Sequence, residues 1–265
     1  MSMSAKAQRA AAVLTEQYRT NQLFMLPDEL VPSSIDEAYE IQRQFQTDIS
    51  RDQGPIAGYK LAYTTAVTQQ ANGVTEPCMG MMLANNIRES PCILAARDFT
   101  QIGIECEIAA RLGADLPPSG APYDRTKVSR SVASLMPAFE VIDSRRTPGL
   151  EQNVQFITGV AANISNAGVV LGTPVTDWHD IDLIAAYGSM NINGDKVGDG
   201  HGSDVMGHPL EPLARLANKL AGRGSGLSAG MVVITGSIVS PKFLKAGDKA
   251  SISIKGLGDA QLDVV

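Results

Sequence analysis

Aromatic side chains make up only 5% of this 265-residue chain, cysteine occurs three times, and no cluster of Lys or Arg interrupts a net charge of −6. Without a basic patch the chain has nothing to neutralise a phosphate backbone or an anionic lipid surface, so neither nucleic acid nor membrane is an expected partner. Cys78, Cys92 and Cys106 are too few for a disulfide framework and lack the short paired spacing with histidine that structural zinc uses. A reducing compartment is therefore expected. The apolar run Ala10 to Leu14, which follows Lys6 and Arg9, is shorter than a signal-peptide core and far shorter than a membrane span, so a cytoplasmic protein is expected. Solenoid periodicity and low-complexity linkers are also missing.

What is present is 44% apolar residues, enough for one substantial core, and 25 glycines that imply many tight turns. Helical spacing runs from Ser4 to about Tyr18, and again from Ser34, with Ile35, Tyr39, Gln42, Phe45 and Ile49 on one face. Ser34 and Glu37 read as a capping box. Gly54 and Pro55 close this part, giving a helical N-terminal region at 1–54 and a β-rich catalytic domain at 55–265. Strands are expected at Ile56–Tyr63, Ile102–Leu112, Leu135–Asp143, Gly168–Gly172, Met231–Thr235, Lys249–Lys255 and Ala260–Val264, with a hairpin at Asn193-Gly194. Helices are expected at Gln155–Asn166 and Leu210–Leu220. The elements do not alternate regularly, so the fold class is α+β.

The chemistry concentrates in carboxylates. Strand geometry puts Glu105 and Glu107 on one face of Ile102–Leu112, and Ile104, Cys106 and Ile108 on the other. A solvated acidic face is the plain reading of that pair. Glu140 sits inside the apolar run Leu135–Ile142, where an unpaired charge is costly. Three glutamates without matching bases call for a hard divalent cation, Mg²⁺ or Mn²⁺, with positions left for an oxygen-rich ligand. The competing reading pairs Glu140 with Arg145 or Arg146. Lys60, alone among apolar neighbours, is either a proton-transfer lysine or one that snorkels from a strand end. The loop Gly200–Pro209, with Ser203 and His208, precedes a helix and is either a substrate-carboxylate loop or a turn in which His208 is a cap. His179 beside Trp178 reads as structural. Walker A, G-x-G-x-x-G and G-x-S-x-G patterns do not occur.

Gly58-Tyr59-Lys60, the Glu105/Glu107 pair, Pro137-Ala138-Phe139-Glu140-Val141-Ile142-Asp143-Ser144-Arg145, Val160–Ser165, Gly207-His208-Pro209-Leu210 and Ala246-Gly247-Asp248 follow one another in a familiar order. In these the chain resembles, nearly end to end, the 2-keto-4-pentenoate hydratase and 4-oxalocrotonate decarboxylase family of the fumarylacetoacetate hydrolase superfamily. The resemblance implies a mixed β-sandwich roll. It makes Glu105, Glu107 and Glu140 ligands of Mg²⁺ or Mn²⁺, Lys60 and Cys78 catalytic-site residues, and Ser165, Ser203 and His208 substrate contacts. It also implies a homo-oligomer, possible association with a homologous hydratase or decarboxylase, and a small 2-oxo acid or 2-hydroxydienoate as substrate.

A hydratase acting on products of aromatic meta-cleavage is the leading expectation. A 4-oxalocrotonate-type decarboxylase, an acylpyruvate hydrolase and a non-catalytic partner subunit are the alternatives. Departures from the family pattern fall on the expected pocket. Cys78 stands where the hydratases carry an acid and the decarboxylases an apolar residue, Ala162 replaces an Asp before Asn163, and Ala62-Tyr63 replaces a Gly and an apolar residue.

Overall fold

The computed structural model describes residues 3–265. Its elements in chain order are α1 (Ala5–Arg19), α2 (Ile35–Gln53), β1 (Ile56–Ala62), α3 (Ala66–Asn72), β2 (Cys78–Leu83), β3 (Ile87–Glu89) and β4 (Cys92–Leu94). There follow β5 (Ile102–Leu112), α4 (Arg125–Ser129), β6 (Val132–Asp143), α5 (Gln152–Ala161), β7 (Asn166–Leu171), β8 (Tyr187–Ile192) and β9 (Asp195–His201). α6 (Leu210–Ala221), β10 (Val232–Phe243), β11 (Lys249–Ile254) and β12 (Gly258–Val264) complete the chain. Seven strands form one mixed sheet in the order β2-β1-β10-β5-β6-β7-β3, and five form a second in the order β4-β12-β11-β8-β9. The α+β expectation holds.

The large sheet is rolled. β2 and β7 are the first and sixth strands of its order, yet Met81 in β2 is hydrogen-bonded to Asn163, just before β7. Met82, Ala109, Met136, Ala138, Leu171 and Ile234 fill the inside of the roll as a buried apolar plug. By the two-residue period of a strand, Glu107 lies on the same face as Ala109, and Glu140 on the same face as Ala138 and Met136. The roll thus has an apolar floor with carboxylates set directly above it.

Two helices cover one side. Ala7, Ala10, Ala11 and Leu14 of α1 are fully buried, as are Ala38, Ile41 and Gln42 of α2. The Gln42 amide donates to Met79 O (3.1 Å) and Val160 O (2.7 Å), tying α2 to β2 and α5. Half of the expected capping box forms. Ser34 Oγ accepts from Glu37 N, but the Glu37 carboxylate turns back to the amide and hydroxyl of Ser33 instead of the Ser34 amide.

Two departures from the sequence reading shape the site. The helix expected over Gln155–Asn166 ends at Ala161, because Asn163, Ile164 and Ser165 all adopt left-handed backbone (φ 66°, 51° and 59°). For Ile in particular this conformation is strained, by about 1–3 kcal/mol. The Asn163 carboxamide holds the turn by accepting from Met81 N (2.7 Å) and donating to Met81 O (2.9 Å). The strand expected at Met231–Thr235 continues to Phe243, with its pairing to β5 shifting between Ile234 and Ser237. At that bulge Gly236 has φ 120°, and a Cβ there would lie 2.2 Å from Thr64 Oγ1, so only glycine fits. The Asn193-Gly194 hairpin forms as expected, with positive φ at both residues.

Candidate metal centre

β5 and β6 pair antiparallel with Glu105 opposite Glu140, so those two side chains share a face and Glu107 lies one pleat farther along β5. One carboxylate oxygen from each of Glu105, Glu107 and Glu140 lies within 4.8 Å of the other two. Glu107 and Glu140 are buried, 0% and 1% exposed, which rules out a solvated acidic face, while Glu105 is half-buried. The Gly236 bulge aims its amide at Glu107 Oε2 (2.6 Å), leaving Glu107 Oε1 buried with no hydrogen-bond partner. Asn166 Nδ2 donates to Glu140 Oε1 (3.0 Å).

Lys60 is 3% exposed and does not snorkel; its Nζ lies 3.1 Å from Glu140 Oε1. β1 and β6 are three strand spacings apart in the sheet order, about 14 Å if the sheet were flat. Lys60 and Glu140 meet only because the sheet curls around them. The arginine pairing of Glu140 is overturned. The Arg145 side chain binds Asp143 Oδ2 (2.7 Å), Asn21 Oδ1 and the carbonyls of Gln17, Tyr18 and Gln22, and Arg146 makes no ion pair with Glu140, whose partner is Lys60.

The electrostatics follow from gathering three carboxyls, two of them buried, beside one ammonium. Burial, with the neighbouring Glu140 charge, pushes the Glu105 carboxyl up to about 7, and burial with both neighbouring carboxylates raises that of Glu107. Burial opposes the Lys60 charge, but the Glu140 and Glu105 carboxylates outweigh it and hold the ammonium above its ordinary pKa. An orphaned buried oxygen, three convergent hard donors and an excess of negative charge fit a divalent cation with oxygen preference.

That arrangement predicts how stability tracks pH. Between the ordinary carboxyl value of 4.5 and about 7, the folded chain binds more protons at Glu105 and Glu107 than the unfolded chain does. The metal-free protein should therefore lose on the order of 1–3 kcal/mol of stability as pH rises through that window. The raised pKa of Lys60 contributes stability lost only at more alkaline pH. Since a cation must displace those protons, stabilisation by Mg²⁺ should grow over the same interval. Urea unfolding of chelator-treated and Mg²⁺-loaded protein at pH 5.5 and 8 tests both; a metal-free protein more stable at pH 8 would contradict it.

The other expected site residues are more dispersed. Ser165 ends the strained turn and is half-buried, next to Asn166 and hence one residue from the Glu140 contact. Cys78 pairs with Ala62 in the β1–β2 ladder, two positions from Lys60 opposite Gly80, and so shares its face. The Cys78 thiol is buried, and that burial raises its pKa despite the Tyr39 hydroxyl beside it. Ser203 is exposed on a 3-10 turn, and His208 Nδ1 accepts from Leu210 N (3.0 Å) as a cap at the start of α6. Burial and Arg125 lower the His208 pKa, keeping the ring neutral. His179 stacks on Trp178 with centroids 4.1 Å apart. Asn166 and Gly236 are the contacts that sequence reasoning missed; neither carries a local signal, because both are brought to the glutamates by bulges and turns.

Among the described residues, no helix is long and apolar enough to cross a membrane. Residues 55–265 match the family described as fumarylacetoacetate (FAA) hydrolase C-terminal. The chain is 32% identical over 235 residues to 2-keto-4-pentenoate hydratase 1 of Dechloromonas aromatica, covering 88% of this chain and 87% of that one. It is 31% identical over 224 residues to 4-oxalocrotonate decarboxylase of Pseudomonas putida, covering 84% and 82%. Its fold matches 4-oxalocrotonate decarboxylase from Pseudomonas putida G7, solved with magnesium and adipate, at a TM-score of 0.90 over 98% of this chain and 97% of that one, with 24% identity. With the rolled sheet, the glutamate cluster and these likenesses together, the chain belongs to the fumarylacetoacetate hydrolase family, in the branch of the 2-keto-4-pentenoate hydratases and 4-oxalocrotonate decarboxylases.

Proposed function

We propose that the chain is a divalent-metal-dependent lyase that adds water to a 2-hydroxydienoate or 2-oxoenoate of the kind formed in aromatic meta-cleavage. The observation that carries the proposal is the convergence of Glu105, Glu107 and Glu140 within 4.8 Å beside a buried Lys60. Mg²⁺ or Mn²⁺ held by these carboxylates would supply a Lewis acid for the carboxylate and C2 oxygen of a 2-oxo acid, stabilising negative charge that develops there. Lys60, kept protonated by Glu140 and Glu105, holds a proton at Nζ for delivery to the substrate. Ser165, and Ser203 with His208 on the loop that precedes α6, are the proposed polar contacts for substrate oxygens. A homo-oligomer, alone or with a homologous hydratase or decarboxylase, belongs to the same proposal and is checked by light scattering.

Ultraviolet monitoring of enol consumption by the purified chain with Mg²⁺, with products identified by mass, tests the reading. Turnover by the chain alone separates an enzyme from a non-catalytic partner subunit. No consumption of any 2-hydroxydienoate would overturn the proposal.

Cys78 favours decarboxylation as the second reading. A protonated, buried thiol is a poor base for water, whereas loss of CO₂ from a 2-oxo dicarboxylate needs the same electron sink and no water nucleophile. Cys78→Asp is therefore expected to raise the ratio of hydration to decarboxylation about tenfold, a modest share of a general-base contribution. Product masses from both proteins give that ratio. An unchanged or lowered ratio would mean that water is activated from elsewhere.

A further inference from the structure

The geometry points to Arg146 as a specificity-determining residue that receives the second carboxylate of a dicarboxylic substrate, in a cavity that Ser165 brings beside the metal centre. The inference rests on the proposed function and names the substrate class it left open. The cavity, about 120 Å³, is lined by Tyr63, Ile164, Ser165, Phe156, Thr158 and Arg146, among others. Its Ser165 edge neighbours the metal centre. Ser165 precedes the Asn166 that donates to Glu140, and the Tyr63 phenol feels both the Lys60 and Arg146 charges, which lower its pKa against the larger effect of burial. Tyr63 and Phe156, with ring centroids 5.6 Å apart, give the cavity apolar surface.

Three observations single out Arg146. The chain carries net charge −6, yet the side chains lining this cavity include two arginines and no carboxylate. Of those two, Arg145 is spent on Asp143, Asn21 and three carbonyls, while Arg146 is exposed and makes no ion pair among the described residues. Its backbone is nonetheless fixed. Phe24 N donates to Arg145 O (2.8 Å), Phe24 and Arg146 form a β-bridge, and Thr147 Oγ1 donates to Phe24 O (2.9 Å). The Thr158 hydroxyl, in a residue 4% exposed, has no hydrogen-bond partner and lines the same cavity. A free guanidinium on a fixed backbone and an unsatisfied buried hydroxyl are what a carboxylate at the end of a short carbon chain requires.

The test compares two ligands with the same metal-binding head, 2-oxohexanedioate and 2-oxohexanoate, by calorimetric titration of the Mg²⁺-loaded protein. The dicarboxylate should bind the wild type about tenfold tighter or better, the size of a charge-assisted hydrogen-bonded pair. Arg146→Ala should collapse that ratio toward one, and Arg146→Lys should keep part of it. Equal affinities in the wild type, or an unchanged ratio in Arg146→Ala, would overturn the inference. Oxalate, which has the chelating head and no tail, is titrated in parallel. Oxalate binding with a ratio of one would sink the role of Arg146 and leave the proposed function standing; failure of oxalate to bind the Mg²⁺-loaded protein would sink both.

Discussion

Glu140→Gln is expected to weaken Mg²⁺ binding by at least ~10²-fold and to take turnover down with it. Residues that only orient a ligand cost about 10- to 100-fold in metal affinity when lost, so a ligand itself should cost no less. The substitution keeps shape and hydrogen-bonding capacity but removes a charge from a cluster of three carboxyls in which burial and crowding together raise the pKa of Glu105 and Glu107. It therefore relieves repulsion while it removes a donor, and the fold should survive. Lys60 keeps Glu105 and Glu107 as counter-charges, which softens the ~3–5 kcal/mol cost of stranding a buried ion. The combination is diagnostic. A structural ion pair with Lys60 alone predicts the reverse pattern, lowered stability at unchanged metal affinity, and calorimetric Mg²⁺ titration beside urea unfolding distinguishes the two. Glu105→Gln and Glu107→Gln should behave like Glu140→Gln, because each removes one of the same three donors.

Much of this centre is legible in the sequence because it is built from strand periodicity. Glu105 and Glu107 are two residues apart in a run with apolar residues between them, and Glu140 is a charge inside an otherwise apolar strand. Local pattern and burial suffice to find them. The partner of Glu140 was not legible. Arg145 and Arg146 are near it in sequence, whereas Lys60 reaches it only through the curl of the seven-stranded sheet, a property of no single strand. The same holds for the Gly236 amide, placed by a bulge, and for Asn166, placed by three left-handed residues that break a helix the apolar spacing would continue. Helical periodicity registers which face is apolar; it carries no information about an Asn163 carboxamide clamped on a distant strand. Arg146 was visible only as a candidate ion-pair partner, because a cavity without carboxylates emerges from three separate segments of chain.

Lys60→Ala should lower turnover by roughly 10² to 10⁴, the usual worth of a positioned acid or base, while oxalate affinity in the presence of Mg²⁺ stays within about tenfold. The separation is expected because in the proposed centre the three carboxylates, not the ammonium, would hold the cation, whereas Lys60 is the cation among the described residues paired with Glu140. A further readout distinguishes proton transfer from simple charge balance. Removing the ammonium leaves three clustered carboxyls, two of them buried, without a counter-ion, so the metal-free variant should take up additional protons at neutral pH and unfold more readily on alkalinisation than the wild type. Mg²⁺ should restore its stability, since a divalent ion supplies the missing charge, but should not restore its rate. Lys60→Arg sharpens the contrast: it preserves the positive charge and can pair with Glu140, yet a guanidinium does not give up a proton at neutral pH. Stability near that of the wild type with turnover as low as in Lys60→Ala is the expected result. Full turnover in Lys60→Arg would show that the buried charge alone suffices and that the transferred proton comes from another group.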